Sequence, residues 1–382
     1  MNMQTVIECC RELVRAESLA GREGAAAAVA AAWMRRLGYD DVYVDAYGSV
    51  VGRIVGTAGS GPHIHLDGHL DTVPATALDE WTHAPYGAEL ADGKIWGRGS
   101  TDMKGPLAAM LYAAANLPRE EIRGTISVSA SIAEEEFEGA ALVAILERAR
   151  PDMVIVGEPT GLQAGTAQKG RAGIRVVTYG TPAHSATPHA GDNAVYRMND
   201  VITRLRALPA PEDPLLGLGV MELVEIVSSP YPGTSIVPDR CTVRWDRRLV
   251  RGETRESVLA PLQAAVAAIG RVEVRYLDVT VPCYTGAALR GEDVHLAWEL
   301  PLESPLAQAT LAAAAAVGVE PRTWALPFCT NASGSMARLG IPSIVVGPGD
   351  PAGLHVIDES ITLEQLERGT ALYGELLRRL LR

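Results

Sequence analysis

Four polar clusters sit at the ends of short runs of strand character, and a fifth follows such a run by a loop. In open α/β sheets, reactive groups gather at the carboxyl ends of strands. Gly68-His69-Leu70-Asp71 follows the run His63–Asp67. A ligating imidazole usually hands its second ring N–H to a carboxylate; His69 has the setting of such a ligand, with Asp71 two residues on to orient it. His63 and His65 lie inside the run and read as structural. The loop 97–105 is rich in glycine, and its Asp102 stands just before a helix. It reads either as an N-cap or as a carboxylate whose two oxygens bridge two metal ions. The loop lacks the GxxxxGK[ST] spacing of a phosphate-binding loop. Glu134-Glu135-Glu136 ends an apolar strand, and neighbouring carboxylates repel unless solvent or cations relieve them. The triplet is therefore a solvated acidic turn, or it supplies Glu135 as a ligand and Glu134 as a general base, with no role for Glu136. In Gly157-Glu158-Pro159-Thr160 the proline favours extended backbone at Glu158 and aims its carboxylate across the sheet edge. His355 lies in the loop after Ser343–Gly347.

Counted together, His69, Asp102, Glu135, Glu158 and His355 are nitrogen and oxygen donors. They suit two hard-to-borderline divalent ions, and zinc accepts this mixture. One bridging Asp with a His and a Glu on each side makes a two-metal site with positions open to water.

The elements that must carry these residues alternate between strand and helix, which argues for an α/β sheet. Helical patterns cover Gln4–Arg15, Ala25–Leu37, Pro106–Leu117, Gly139–Ala149, Pro305–Val317 and Leu363–Leu381. Strand patterns cover Asp41–Asp45, Val50–Val55, His63–Asp67, Lys94–Trp96, Thr125–Ala133, Met153–Gly157 and Ser343–Val346. The pattern changes near Gly170. From there the order is strand Ala172–Tyr179, helix Asn193–Leu208, strands Met221–Ser228 and Arg240–Leu249, helix Thr254–Ile269 and strand Val272–Asp278. That is the βαββαβ, ferredoxin-like unit. We therefore expect a discontinuous α/β domain over 1–171 and 282–382, interrupted by a smaller domain over 172–281.

Composition narrows the function further. The chain has 382 residues, 47% of them apolar and with a formal charge of −12, which excludes disorder. A chain of this length buries roughly three quarters of its unfolded surface and needs no staple. The negative balance, with only three lysines (Lys94, Lys104, Lys169), argues against a nucleic-acid groove. Cys9, Cys10, Cys241, Cys283 and Cys329 form no CxxC and no even ladder, so neither a disulfide framework nor a thiolate zinc site is expected. There is no basic segment leading into an apolar core at the N-terminus and no apolar run of membrane-spanning length. The expectation is a soluble, cytoplasmic protein with no membrane partner.

Several longer runs carry a family resemblance: AEEEFEG (133–139), QKGRAGI (168–174), GDNAVYRM (191–198), DRRLVRGET (246–254) and CTNASGSMARLGIPSIVVGPG (329–349). With the five clusters, they resemble the dinuclear zinc metallopeptidases that include acetylornithine deacetylase, succinyl-diaminopimelate desuccinylase, carboxypeptidase G and aminoacylase. Within that family the chain is most similar to the hydrolases linked to selenium metabolism. The likeness spans nearly the whole sequence, inserted domain included. It implies a catalytic α/β domain and a lid domain that often makes a homodimer. It places one zinc on His69, Asp102 and Glu158 and the other on Asp102, Glu135 and His355, with Glu134 as base and Asp71 supporting His69; cobalt or manganese are alternatives to zinc. Gly180-Thr181-Pro182-Ala183-His184-Ser185 matches the lid histidine motif, in which His184 donates to the developing oxyanion, usually across the dimer. Asp246-Arg247-Arg248 matches an Asp-x-Arg whose arginine grips a substrate carboxylate, a task suited to a planar fork of donors.

The chain departs from its relatives at Ser235, where many have Asn, at Asn331, where many have Asp, and at Asp358 before Glu359, where Asn is commoner. Ser235 and Asn331 fall in the substrate-binding set. The implied activity is metal-dependent hydrolysis of the amide bond of a small N-acyl amino acid or related compound, by metal-activated water with Glu134 as base. Alternatives are a di- or tripeptidase or carboxypeptidase of the same family, and a catalytically silent metal-binding or scaffolding homologue.

Overall fold

A computed structural model describes residues 2–233 and 235–382. The chain forms two compact units. One comprises Met1–Ala167, Thr280–Arg290 and Glu299–Arg382; the other comprises Gln168–Val279 and Gly291–Trp298. An α/β domain is thus interrupted by a smaller inserted one. The second unit also takes in 291–298, a segment outside the expected 172–281. Its two-residue strand Val294–His295 pairs with Ala172 and Arg171 and is too short to leave a periodic signal. Among the described residues the α-helices are α1 (Met3–Arg15), α2 (Gly24–Arg36), α3 (Gly105–Ala115), α4 (Ala140–Ala149), α5 (Ala194–Arg206), α6 (Arg255–Val266), α7 (Pro305–Ala316) and α8 (Leu363–Leu380). None is long and apolar enough to cross a membrane.

The main sheet of the first unit runs Asp41–Val44, Val50–Val55, Thr125–Ser131, His63–His69, Met153–Val156, Ser343–Val345, Ala164–Gln168. Its centre is parallel: Thr125–Ser131 and Met153–Val156 flank His63–His69, and Ser343–Val345 lies beyond. From His63–His69 the chain moves to the neighbour on one side, then crosses to the neighbour on the other. The strand order therefore reverses at His63–His69, and the crevice outside the carboxyl ends of such strands is where ligands bind in open sheets. The three central strands are almost wholly buried, as strands covered by helices on both faces must be. Helix α3 is apolar nearly all round and buried from Gly105 to Ala114. Helix α8 is amphipathic. Thr362 caps its N-terminus by accepting from Gln365 N. Leu366, Leu372, Tyr373, Leu376 and Leu377 face inward, and Glu364 pairs with Arg368 one turn on at 2.8 Å.

The strand Ala164–Gln168, Ala-Gly-Thr-Ala-Gln, was not expected from the sequence. Thr166 is its one β-branched residue, and Ala, Gly and Gln give no strand signal; burial in the sheet, not propensity, makes it one.

The second unit has the βαββαβ order. Its strands lie Val220–Ser229, Arg240–Leu249, Gly170–Tyr179, Val272–Tyr276 across the sheet, all antiparallel. Asn193 caps α5, and Thr254 and Ser257 cap α6 reciprocally. Ile174, Val176, Met198, Val201, Trp245, Val258 and Leu262 form the core between helices and sheet. Val220–Ser229 is an edge strand with Val224, Ile226 and Val227 between 43% and 54% exposed.

Candidate metal centre

His69, Glu135 and Glu158 stand at or just past the ends of parallel strands, His355 lies in the loop region after the parallel strand Ser343–Val345, and Asp102 lies in the turn after the antiparallel strand Lys94–Trp96. His69 ends its strand. Positions 63, 65, 67 and 69 share one face, since side chains alternate along a strand. On that face His63 and His65 are spent on the protein: His63 Nε2 lies 2.7 Å from Ser127 Oγ, and His65 spans Ser127 and Ser129 at 2.7 and 2.8 Å. His69 alone reaches the crevice. Glu134 and Glu135 follow Ser131, and Glu158 follows Val156. Gly157 lets the backbone before Glu158 lie flat on the core, because a Cβ there would stand 2.3 Å from Met110 Cε.

Asp102 sits in the tight turn Ser100–Lys104, where its own backbone is extended (φ −113°, ψ 94°). The N-cap alternative is set aside: α3 starts at Gly105, and no side chain caps it. Gly99 makes the turn possible; its φ is +81°, and a Cβ would lie 2.6 Å from Thr72 Cγ2.

The fold brings these residues together. Ligand atoms of His69, Asp102 and Glu158 lie within 4.8 Å of one another, and so do those of Asp102, Glu135 and His355. Asp102 is common to both groups and offers one oxygen to each: Oδ1 is 3.1 Å from His69 Nε2 and Oδ2 is 3.2 Å from His355 Nε2. Glu158 Oε1 is 3.7 Å from His69 Nε2, and Glu135 Oε2 is 3.3 Å from His355 Nε2. Glu134 belongs to neither group, yet its Oε2 is 3.9 Å from His69 Nε2. The solvated-turn reading of the acidic triplet holds only for Glu136, which is exposed; Glu134 is buried.

Asp71 plays a different part from the one expected. His69 Nδ1 lies 2.8 Å from the Asp71 main-chain carbonyl, while the nearer carboxylate oxygen is 3.8 Å away. The carboxylate accepts instead from the backbone N–H groups of Glu134 (3.1 Å) and Glu135 (2.9 Å). One residue therefore orients the imidazole with its backbone and the two glutamates with its side chain. Two further supports were not legible in the sequence. Glu359, fully buried, accepts from Arg98 Nη1 at 2.6 Å and from the N–H groups of Thr101 and Asp102 at 2.9 and 3.0 Å. Glu23 accepts from Ala133 N, just before the acidic triplet.

The electrostatics of the cluster follow from putting four carboxylates and the His69 imidazole largely out of water, with His355 half-exposed beside them. Burial, reinforced by repulsion from Asp102 and Glu135, pushes Glu158 up to about 8. Burial likewise raises Glu134 and Glu135. It also opposes a charged His69, but Glu158, Asp102 and Glu134 outweigh it and hold that imidazole well above its ordinary range. Hydrogen bonds to Asp102 and then Glu135 lift His355 to about 10. For Asp102, burial is overcome by the hydrogen bonds from the two histidines, and its carboxyl is held well down. Protons on the histidines thus do the work of cations. Even so, Glu135 Oε1 and Glu158 Oε1 stay buried with no hydrogen-bond partner. A buried carboxylate oxygen without a partner is costly, and the donor set fits divalent ions that would satisfy it.

The other candidates divide. Asn331 is no ligand-facing group: it is buried in the first unit, where Nδ2 donates to Asp67 Oδ2 (2.8 Å) and Ser131 Oγ (3.1 Å) and Oδ1 accepts from Gly139 N (2.6 Å). Its amide is used up fastening the far end of the Glu134–Gly139 loop to the sheet. His184, Ser235 and Arg248 lie in the second unit. His184 and Ser235 are exposed neighbours, joined by Ser185 N donating to Ser235 O and by the bridge of His184 to Ile236. Arg248 Nε pairs with Asp246 Oδ1 at 2.9 Å.

Two candidate ligand sets sharing one carboxylate, at the crevice of an open α/β sheet, are the arrangement a two-metal hydrolase would need. Comparison with known proteins agrees. The pattern of peptidase family M20/M25/M40 matches residues 65–379. The chain is 32% identical over 351 residues to an uncharacterized protein of Escherichia coli K12, covering 89% of this chain and 86% of that one. It is 29% identical over 386 residues to the succinyl-diaminopimelate desuccinylase of Gluconacetobacter diazotrophicus, covering 97% and 96%. Among solved structures, an M20 family metallo-carboxypeptidase from Sulfolobus solfataricus shares the fold with a TM-score of 0.77 at 17% identity, over 98% of both chains. The chain belongs to peptidase family M20/M25/M40 and is a metal-dependent hydrolase of amide or peptide bonds.

Proposed function

We propose that the chain hydrolyses the amide bond of a small N-acyl amino acid or a related compound. The observation that carries this is Asp102 facing His69 with one oxygen and His355 with the other, with the unligated Glu134 beside them. Similarity over nearly the full length to a desuccinylase supports the substrate class. His69, Asp102 and Glu158 would hold one divalent ion, and Asp102, Glu135 and His355 a second, with zinc first among candidates and cobalt or manganese next. Such ions, when bound, supply Lewis acidity and lower the pKa of water to about 7.

The chain's own residues do the rest. Glu134, its backbone held by Asp71, takes the proton of the attacking water on its carboxylate and returns it to the leaving amine. His184 Nδ1 accepts from Ala186 N at 3.0 Å, so the proton of its neutral ring sits on Nε2, the atom then left to donate to the oxyanion. Losing a donor of that kind costs roughly 100- to 1000-fold in rate. Arg248, with Nε engaged by Asp246, keeps its two terminal nitrogens for a substrate carboxylate.

The test is metal analysis with a substrate panel. The zinc-loaded chain is expected to cleave N-acetyl, N-succinyl or N-carbamoyl amino acids faster than di- and tripeptides, and to stop when chelated. Faster cleavage of the peptides would replace the deacylase reading with a peptidase, and inactivity across the whole panel would favour the silent homologue.

A homodimer through the inserted domain belongs to the same reading. The unpaired edge Val220–Ser229, with its exposed Val224, Ile226 and Val227, is the kind of strand that proteins otherwise cover or charge. Light scattering is expected to show two chains for the wild type and one for Ile226→Lys. A monomeric wild type would remove this element.

A further inference from the structure

We infer that Asp358 is a positioning residue for His355, and that it sets the affinity of the ligand set Asp102, Glu135 and His355 without touching a metal ion itself. The inference rests on the two-ion reading above. His355 is the least sheltered of the five ligands: its side chain is 49% exposed, against 1% for His69. It lies between the short turn Pro351–Gly353 and the strand Ser360–Thr362, in a stretch with no regular hydrogen-bonded structure. Apolar packing does not anchor that stretch either, because Val356 and Ile357 are 41% and 37% exposed. His355 and Asp358 both have left-handed backbone (φ 61° and 55°), a conformation that persists in such residues only where the surroundings impose it.

What imposes it is polar. Two successive acids reach in different directions. Glu359 turns inward to Arg98 and to the backbone of the Asp102 turn. Asp358 ties the loop to a second, remote segment. Its Oδ1 accepts from Thr82 N (2.9 Å) and His83 N (3.2 Å), and its Oδ2 accepts from Thr82 Oγ1 (2.7 Å). A carboxylate taking three donors from one turn holds both position and direction. Arg98 Nη2 adds a long contact, 3.5 Å, to the His355 carbonyl. Two members of the other ligand set stand apart from this tie, His69 at the end of one buried strand and Glu158 two residues past another. Asp358→Asn would keep the clamp: an amide would accept the two N–H bonds through its oxygen and donate to Thr82 Oγ1 through its nitrogen.

The experiment is a zinc titration of the metal-free full-length chain against a chromophoric chelator, for wild type, Asp358→Ala, Asp358→Asn, His355→Ala and the double variant Asp358→Ala/His355→Ala. Wild type is expected to take up two ions. Asp358→Ala is expected to weaken one uptake step by about 10- to 100-fold, the usual cost of losing a partner that orients a ligand, and to leave the other within about twofold. Asp358→Asn is expected to restore the weakened step. In the His355→Ala background, Asp358→Ala is expected to change nothing more, because residues acting through one another are not additive. The inference is overturned if Asp358→Ala weakens both steps alike, weakens neither, or still weakens binding when His355 is absent. Should Asp358→Ala fail to fold, Thr82→Val, which removes one of the three bonds, must show a smaller loss confined to the same step; no loss there overturns the inference. A wild type that binds a single ion overturns the two-ion reading itself, a result visible before any variant is compared.

Discussion

Glu134→Gln is expected to bind two ions as the wild type does and to lose turnover by about 100- to 10,000-fold, the range a positioned general base contributes. Glutamine keeps the shape and the backbone N–H that donates to Asp71 but cannot take up a proton. Glu134 stands outside both ligand groups, although its carboxylate is 3.9 Å from His69 Nε2, so metal content separates the two functions. Bound metal measured by elemental analysis beside kcat on the best panel substrate is the check. Turnover above about a tenth of wild type with full metal content would take the base role from Glu134. Loss of metal would make it a ligand instead.

Asp102→Ala is expected to cost more than any other single ligand change, because it is the one residue common to both sets. Both ions should bind far more weakly. Losing several kcal/mol of transition-state stabilisation from them corresponds to at least about 1000-fold in kcat at 1.36 kcal/mol per decade. His355→Ala, by contrast, removes a donor from one set only and is expected to leave one ion near its original affinity. Stoichiometry by titration distinguishes the two variants. Retention of one tightly held ion by Asp102→Ala would show that the carboxylate is not shared.

The five ligand candidates were legible because metal chemistry restricts residue types and strand ends restrict places, and each restriction is local. The strand was read as His63–Asp67 and runs on to His69, and the reversal of strand order beside it explains why its last residue faces the crevice. The supports of the site were less legible. Asp71 looked like a carboxylate partner for His69, but its carbonyl lies 2.8 Å from the ring and its side chain serves the acidic triplet 63 and 64 residues away. Asn331 looked like a substrate contact and proved to be a buried brace, 192 residues from the Gly139 N–H that it accepts. Glu359 and Asp358 gave no local sign of what they hold, since their partners lie 257 to 276 positions off. In the fold, periodicity identified the long helices, whereas the strand Ala164–Gln168 escaped because only Thr166 among its residues favours a strand.

By itself, then, the sequence determined the kind of donors, the acidic residue beside them, the alternation of strand and helix, and the inserted βαββαβ unit. All of these follow from residue chemistry and from the fixed periods of local backbone structure. Only the tertiary structure decided that Asp102 turns one oxygen to each histidine, that Asp71 works through its carbonyl, and that two adjacent acids brace the His355 loop. Those outcomes depend on which buried polar group finds which partner across hundreds of residues. Burial makes an unpaired group too costly to leave alone, but packing, not proximity in sequence, chooses its mate.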